Sequence, residues 1–256
     1  MPHAAVLGSP IAHSLSPLLH NAGYAALGLD DWTYTAIECT AVQLPTLIDP
    51  SFAGYSVTMP CKFAALDAAT EVTDRAREIG SANTLVRRGN GWLADNTDCL
   101  GVLGALEELD VAPRTAVVIG AGGTARAVLW ALRELGVSDV TVMNRSDRTK
   151  ELAGLADAQW LPLGTIPDAD VVVSTLPGAA AAELSIDAPL FDVSYSPWPP
   201  PLIAQAASKN LPHVAGHVML AHQAYAQFEL FTGQPAPRDA MRSALEARLF
   251  PAREEA

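Results

Sequence analysis

Hydrophobic positions along this chain fall into two alternating rhythms. Short apolar-rich runs at 4–7, 52–57, 116–119, 140–143, 171–174 and 190–193 have the length and density of strands covered on both faces. Between them, apolar residues recur every three or four positions. They do so from Ser16 to a stop at Gly28, through Leu100, Leu103, Leu106 and Leu109, through Ala127, Val128, Ala131, Leu132 and Leu135, and over 216–231. That spacing lays one apolar stripe along a helix. A last amphipathic helix through Phe250 follows Gly233, Pro235 and Pro237. Ser16 before Pro17 reads as an N-cap and first helical residue. Residues 33–38 predict another strand, with a short helix after Thr40 as its cap. A helical region is expected from Lys62 to about Ile79, and a helix from Ser146. Residues 83–87 and 91–94 fit a hairpin around Arg88-Gly89-Asn90, and the alanine run at 179–182 is either a loop or a weak helix. The alternation of strand and helix predicts an α/β protein on two open, mostly parallel sheets.

One junction between the rhythms has the composition of a ligand site. The strand ending at Ile119 stops at Gly120-Ala121-Gly122-Gly123-Thr124-Ala125, and a helix begins there. In a dinucleotide-binding unit the first glycine makes the tight turn, the second lets backbone N–H groups approach a pyrophosphate, and a small third residue lets helix and strand touch. Gly120, Gly122 and Ala125 fill these places, which predicts a Rossmann-type, doubly wound second domain. An acid at the end of its second strand would favour NAD, because it bonds a ribose 2′-hydroxyl and repels a phosphate. Here that strand runs into Asn144-Arg145-Ser146-Asp147-Arg148, an amide and two guanidinium groups where a 2′-phosphate would lie. NADP is the cofactor this predicts. The alternative is that Arg145 and Arg148 are solvated, with Asp147 neutralising one of them.

Composition narrows the function classes. A chain of 256 residues, 50% hydrophobic, can bury the cores of two medium domains. Its formal charge of −12 argues against nucleic acid or an anionic membrane as partner. The opening residues lack a basic signal-peptide region, and no apolar run reaches the ~18 residues of a membrane span, so a cytoplasmic protein is expected. Cys39, Cys61 and Cys99 are an odd number without metal-type spacing, which predicts reduced thiols. The pairs His13/His20 and His217/His222 have no third ligand nearby, so no metal is expected.

Lys62 is one of three lysines, with Lys150 and Lys209, and it follows a strand end and a proline, where ligands gather in open α/β sheets. Asp98 begins a helix in a separate segment and could hold that lysine and bond a substrate hydroxyl. Each has a plain alternative, a solvated charge and a helix cap. Ser14 and Ser16 at a helix N-terminus could bind a small carboxylate, although Ser16 is an adequate cap without any ligand.

The motifs Gly8-Ser-Pro-Ile-Ala-His-Ser-Leu-Ser-Pro17, Ser56-Val-Thr-Met-Pro-Cys-Lys62, Ser81-Ala-Asn-Thr84, Asn96-Thr-Asp98, Gly120-Ala-Gly-Gly123, Asp192-Val-Ser-Tyr195 and Gly216-His-Val-Met-Leu-Ala-His-Gln223 together resemble the shikimate dehydrogenase family from end to end. The resemblance implies a substrate-binding and catalytic domain at 1–98 completed by helices at 217–256, an NADP domain at 99–216, and a cleft where they meet. It implies reversible reduction of 3-dehydroshikimate to shikimate by NADPH, a step of aromatic amino-acid and chorismate biosynthesis. Lys62 and Asp98 are the catalytic pair it implies. Ser14 and Ser16 are implied to hold the carboxylate, and Thr58, Asn83, Tyr195 and Gln223 the rest of the substrate. Cofactor contacts are implied at Gly120, Ala121, Gly122, Gly123, Thr124, Ala125, Asn144, Arg145, Ser146, Arg148, Thr175, Gly216 and Met219. Two positions depart from the family pattern: Ser56 and Ser174 stand where Asn is usual. A quinate dehydrogenase using NAD and a nucleotide-sensing regulator without catalysis are the other readings, with monomer and homodimer both open.

Overall fold

The apolar runs become strands, and the helical stripes cover both faces of the sheets they form. A computed structural model describes residues 1–251. The chain divides into two compact units: Met1–Thr97 with the described part of Gln223–Ala256, and Asp98–His222.

In the first unit the order is β1 (His3–Gly8), α1 (Ser16–Ala26), β2 (Thr33–Glu38), α2 (Leu44–Leu47), β3 (Gly54–Val57), α3 (Lys62–Asp67), β4 (Glu71–Val72), α4 (Asp74–Ile79), β5 (Thr84–Arg88) and β6 (Gly91–Asp95). Its sheet runs β2-β1-β3-β5-β6-β4. Parallel pairs join β1 to β2, β1 to β3 and β4 to β6, while β5 is antiparallel to both β3 and β6. The β5–β6 hairpin is the one expected, with Gly89 at φ +51° in its turn. Four-residue β3 is buried throughout, as a continuous apolar run predicts. One core gathers Leu7, Tyr55, Val57, Leu85 and Trp92. Leu19, Tyr24, Phe228, Phe231, Met241 and Leu245 are buried as well.

Several local expectations are corrected. Ser16 is the first residue of α1, not its cap; the cap position is Leu15, whose side chain makes no cap bond. Thr40 does not cap α2, whose cap position is Gln43; the Thr40 hydroxyl and N–H both donate to the Gln43 side-chain oxygen instead. The helical region after Lys62 is two short helices broken by β4. Thr73 caps the second of them, accepting from Ala76 N, and Gly80 ends it at φ +73°.

The second unit continues with α5 (Asp98–Leu109), β7 (Thr115–Ile119), α6 (Gly123–Glu134), β8 (Asp139–Met143), α7 (Thr149–Leu152), β9 (Ala158–Leu161), β10 (Val171–Ser174), α8 (Gly178–Ala181), β11 (Leu190–Asp192), α9 (Pro201–Ser208) and β12 (His213–Ala215). Every strand pair is parallel, in the order β12-β11-β10-β7-β8-β9. The first strand, β7, lies at the centre and the order reverses beside it, which is the arrangement of a doubly wound dinucleotide fold. The helix expected from Ser146 starts only at Thr149 and has a single turn. Neither β9 nor β12 has a long apolar run, and both went unpredicted with α9. The chain then enters α10 (Gly216–Thr232) and α11 (Arg238–Leu249). The first residues of α10 belong to the second unit and those from Gln223 to the first. No described helix is long and apolar enough to cross a membrane.

Candidate active site

Sheet order decides where ligands gather. In the first unit β1 lies between β2 and β3, so the connections leaving β1 and β3 part on opposite sides and leave a switch point beyond their carboxyl ends. Ser14 and Ser16 follow β1, and Thr58 and Lys62 follow β3. The approach is close enough that a Cβ on Gly8 would lie 2.4 Å from the Thr58 methyl carbon. Ser14 folds back on its own turn: its N–H donates to Ile11 O at 2.9 Å, and its hydroxyl accepts from Ser16 N at 3.3 Å. Lys62 opens α3, and its carbonyl accepts from Ala82 N at 3.0 Å.

Asn83 joins this edge because β5 runs antiparallel to β3. Its carbonyl accepts from Val57 N at 2.7 Å, while its side-chain Oδ1 accepts from Thr97 N at 2.7 Å and its Nδ2 donates to Gln223 Oε1 at 3.0 Å. Asn83 and Gln223, 140 positions apart, are therefore directly bonded. The segment before Asp98 is held firmly. Burial pushes the Asp95 carboxyl up, but its paired bonds to Arg75 outweigh that and hold it below the ordinary carboxylate range. Asp98 itself is buried in the first turn of α5.

In the second unit the switch point lies between β7 and β10. A cavity of about 340 Å³ opens there, lined by Gly120, Ala121, Gly122, Asn144, Arg145, Ser146, Arg148, Thr175 and Leu176. All of these except Leu176 were expected, and Leu176 follows Thr175 on the same loop. Gly120, at φ +104°, is required twice over, since a Cβ there would also lie 2.3 Å from the Thr175 hydroxyl. That hydroxyl donates to Ile119 O at 2.9 Å, clamping the two loops together. A Cβ at Gly122 or Gly123 would meet no protein atom, so packing alone does not demand glycine at either. Asp147 neutralises neither arginine: its carboxylate accepts from Thr149 N–H and hydroxyl, while Arg148 pairs with Glu151 at 2.8 Å. Arg145 is exposed and makes no ion pair among the described residues. Asn144 Nδ2 donates to Ser146 O at 3.1 Å, shaping the turn.

Five expected cofactor residues do not line this cavity. Gly123, Thr124 and Ala125 form the first turn of α6, with Ala125 fully buried as the small residue that lets helix meet sheet. Gly216 and Met219 start α10. A Cβ on Gly216 would come within 1.8 Å of Val193 O, so only glycine fits beside that strand end. The Gly216 N–H donates to Ser194 O, one residue before Tyr195. Burial raises the Tyr195 phenol above its ordinary range. The same turn is braced by Asp192, whose Oδ1 accepts from Ser194 N at 3.0 Å and whose carboxyl burial pushes up to about 6. Asp192 Oδ2 and the hydroxyl of neighbouring Ser174 are both buried with no hydrogen-bond partner.

All three cysteines are reduced and buried. Burial pushes the Cys61 thiol up to about 12, which makes it a poor nucleophile beside Lys62. Among the described residues no group of three His, Cys, Asp or Glu is placed to hold a metal. His20 is buried and stacked on Tyr34, and His222 bonds Glu108 at 2.8 Å.

A doubly wound sheet with a glycine loop and a guanidinium at its switch point, alongside a second α/β unit with polar groups at its own, defines a dinucleotide-dependent enzyme class. Comparison with known proteins makes the assignment particular. Residues 6–85 match the shikimate dehydrogenase substrate binding domain, 104–182 the shikimate / quinate 5-dehydrogenase family, and 216–246 the shikimate 5'-dehydrogenase C-terminal domain. The chain is 37% identical to the shikimate dehydrogenase (NADP(+)) of Citrifermentans bemidjiense over 96% of its length and 95% of that protein. The crystal structure of Mycobacterium tuberculosis shikimate dehydrogenase matches at 48% identity and a TM-score of 0.88, covering 96% of this chain and 100% of that one. The Thermus thermophilus enzyme, solved in complex with NADP(H) and shikimate, matches at 32% identity and a TM-score of 0.86, covering 96% and 99%. The chain belongs to the shikimate dehydrogenase family.

Proposed function

We propose that this protein catalyses the reversible, NADPH-dependent reduction of 3-dehydroshikimate to shikimate. The single observation that supports this most is the bonded Asn83–Gln223 pair beside Thr58 and Lys62, in a chain whose other unit holds the glycine loop and Arg145. The residues present fit a 2′-phosphorylated dinucleotide. Gly122 and Gly123 leave the start of α6 uncovered for a pyrophosphate, and Arg145 has its guanidinium available for a further phosphate.

When bound, the nicotinamide supplies a hydride. The chain's own work is on the oxygen side. Hydride arrival at the ketone carbon leaves negative charge on oxygen, and the Lys62 ammonium stabilises that charge and gives the proton that completes the alcohol. Asp98 accepts from a substrate hydroxyl and orients the proton transfer. Ser14 and Ser16 donate to the carboxylate, and Thr58, Asn83, Tyr195 and Gln223 hold the rest of the ring. The unit Met1–Thr97 with the C-terminal helices supplies most of the substrate ligands, and Asp98–His222 binds cofactor and supplies Asp98 and Tyr195.

The test supplies NADP with shikimate or quinate and NADPH with 3-dehydroshikimate, and follows cofactor absorbance. Turnover of shikimate and 3-dehydroshikimate well above quinate is expected. Quinate as the better substrate would replace this reading with the quinate one, and no turnover at all would favour the sensor.

A further inference from the structure

The first unit contains a chain of buried hydrogen bonds that ends on two of the proposed substrate ligands. Tyr34 Oη donates to Ser56 Oγ at 2.5 Å, and Ser56 Oγ donates to Gln227 Oε1 at 2.7 Å. Gln227 Nε2 donates to Asn83 O at 3.1 Å and to Thr84 Oγ1 at 2.9 Å. Thr84 Oγ1 donates to Asn83 Oδ1 at 2.8 Å, and Asn83 Nδ2 donates to Gln223 Oε1. Tyr34, Ser56, Asn83, Thr84 and Gln227 are all buried. The Tyr34 ring is fixed by His20, stacked on it at 4.1 Å.

The direction of every bond is forced. The Asn83 carbonyl can only accept, so Gln227 must turn its amide N–H toward it and its oxygen toward Ser56. Ser56 must then donate to that oxygen and accept from the phenol. At the other end, Thr97 N can only donate, so Asn83 must present Oδ1 to it and Nδ2 to Gln223. Gln223 is thereby left with its Nε2 as the group that donates to another partner. Ser56, one of the two departures from the family pattern, is the link that joins β2 to this chain.

We propose that Gln227, tied to Tyr34 through Ser56, is a positioning residue. Its bonds to Asn83 O and to the Thr84 hydroxyl, which in turn donates to Asn83 Oδ1, brace the amide orientation that the Thr97 N–H dictates, and so hold Asn83 and the Gln223 amide where Gln223 offers the substrate an N–H donor and not a carbonyl. This rests on the reading of Asn83 and Gln223 as substrate ligands. Buried polar chains of this kind specify a single arrangement when every member is satisfied.

The test measures kcat, KM for shikimate, KM for NADP and Tm for Gln227→Met, Tyr34→Phe and the double variant. Gln227→Met is expected to raise the shikimate KM about tenfold, with kcat within about threefold and the NADP KM unchanged. Tyr34→Phe, which removes one hydroxyl and little volume, should raise the same KM by about threefold, and adding it to Gln227→Met should cost nothing further because the chain is already cut. A lower Tm with an unchanged shikimate KM in both single variants would overturn the proposal, as would additive effects in the double. Should Gln227→Met fail to fold, the KM of Tyr34→Phe decides alone. An unmodified protein that does not turn over shikimate would remove the functional reading and this proposal together; normal turnover with unchanged KM values removes only the proposal.

Discussion

The two units solve the same problem, holding a ligand at the carboxyl edge of a sheet, in opposite ways. In Asp98–His222 the candidate groups come from three loops whose residues are nearly consecutive, and they meet around a cavity with exposed Arg145 at its edge. In the other unit they come from segments as much as 140 positions apart and are tied to one another through buried side chains. The first arrangement is modular: backbone N–H groups and a helix end do most of the work, and each side chain adds its own share. The second is coupled, because each amide orientation depends on the next.

The comparison breaks most visibly at Lys62. If it stabilises charge that develops only in the transition state, Lys62→Met should lower kcat by ~10²-fold or more with the shikimate KM within a fewfold. A raised KM with normal kcat would make it an anchor and nothing more. Next in size is the pair that follows β1. Two neutral donors to a carboxylate contribute roughly 1.5–3 kcal/mol each, so Ser14→Ala with Ser16→Ala should raise the shikimate KM by at least about tenfold and leave the NADP KM alone. An unchanged shikimate KM would return both serines to the local turn they shape.

A smaller effect probes whether the modular unit hides a strained group of its own. Asp192 binds its proton more tightly folded than unfolded, because burial raises its carboxyl from 3.8 to about 6. The stability it contributes is therefore full below about pH 4 and lost as pH rises through about 6. Asp192→Asn keeps an acceptor for Ser194 N–H and removes the buried charge. It should be more stable than the parent by about 1–3 kcal/mol at about pH 8 and no more stable at about pH 4. Thermal unfolding at the two pH values checks this; an equal gain at both would show that desolvation of Asp192 is not the cause.

What could be read from the sequence follows the same division. The glycine loop, the basic turn after β8 and the inner strands β7, β8, β10 and β11 of the doubly wound sheet were legible because their signals are local: a continuous apolar run, a fixed glycine spacing, an absent acid. The partner of Arg148 was not legible: the alternative reading had Asp147 neutralising one of the two arginines, whereas the three-residue spacing puts Glu151 against Arg148. In the first unit, Ser16 before Pro17 has the composition of a cap, yet Leu15 takes the cap position. Gln227 carried no signal at all, being one polar residue in a mainly apolar helix. Only the fold, by placing it against Ser56 and Asn83, gives it a task. Strands β9 and β12 were missed because their short segments, Ala158–Leu161 and His213–Ala215, lack the apolar density of the inner strands.

The most direct test of the account compares kcat/KM for NADP and NAD with shikimate as the common substrate, in the unmodified protein and in Arg145→Ala. A charge-assisted bond to a 2′-phosphate contributes roughly 1.5–3 kcal/mol, and with its neighbours in the turn the unmodified protein should favour NADP by ~10² or more. Arg145→Ala should lose much of that preference through a higher NADP KM, with NAD barely affected. Equal efficiency with both cofactors in the unmodified protein would contradict the account and favour the NAD-dependent quinate reading.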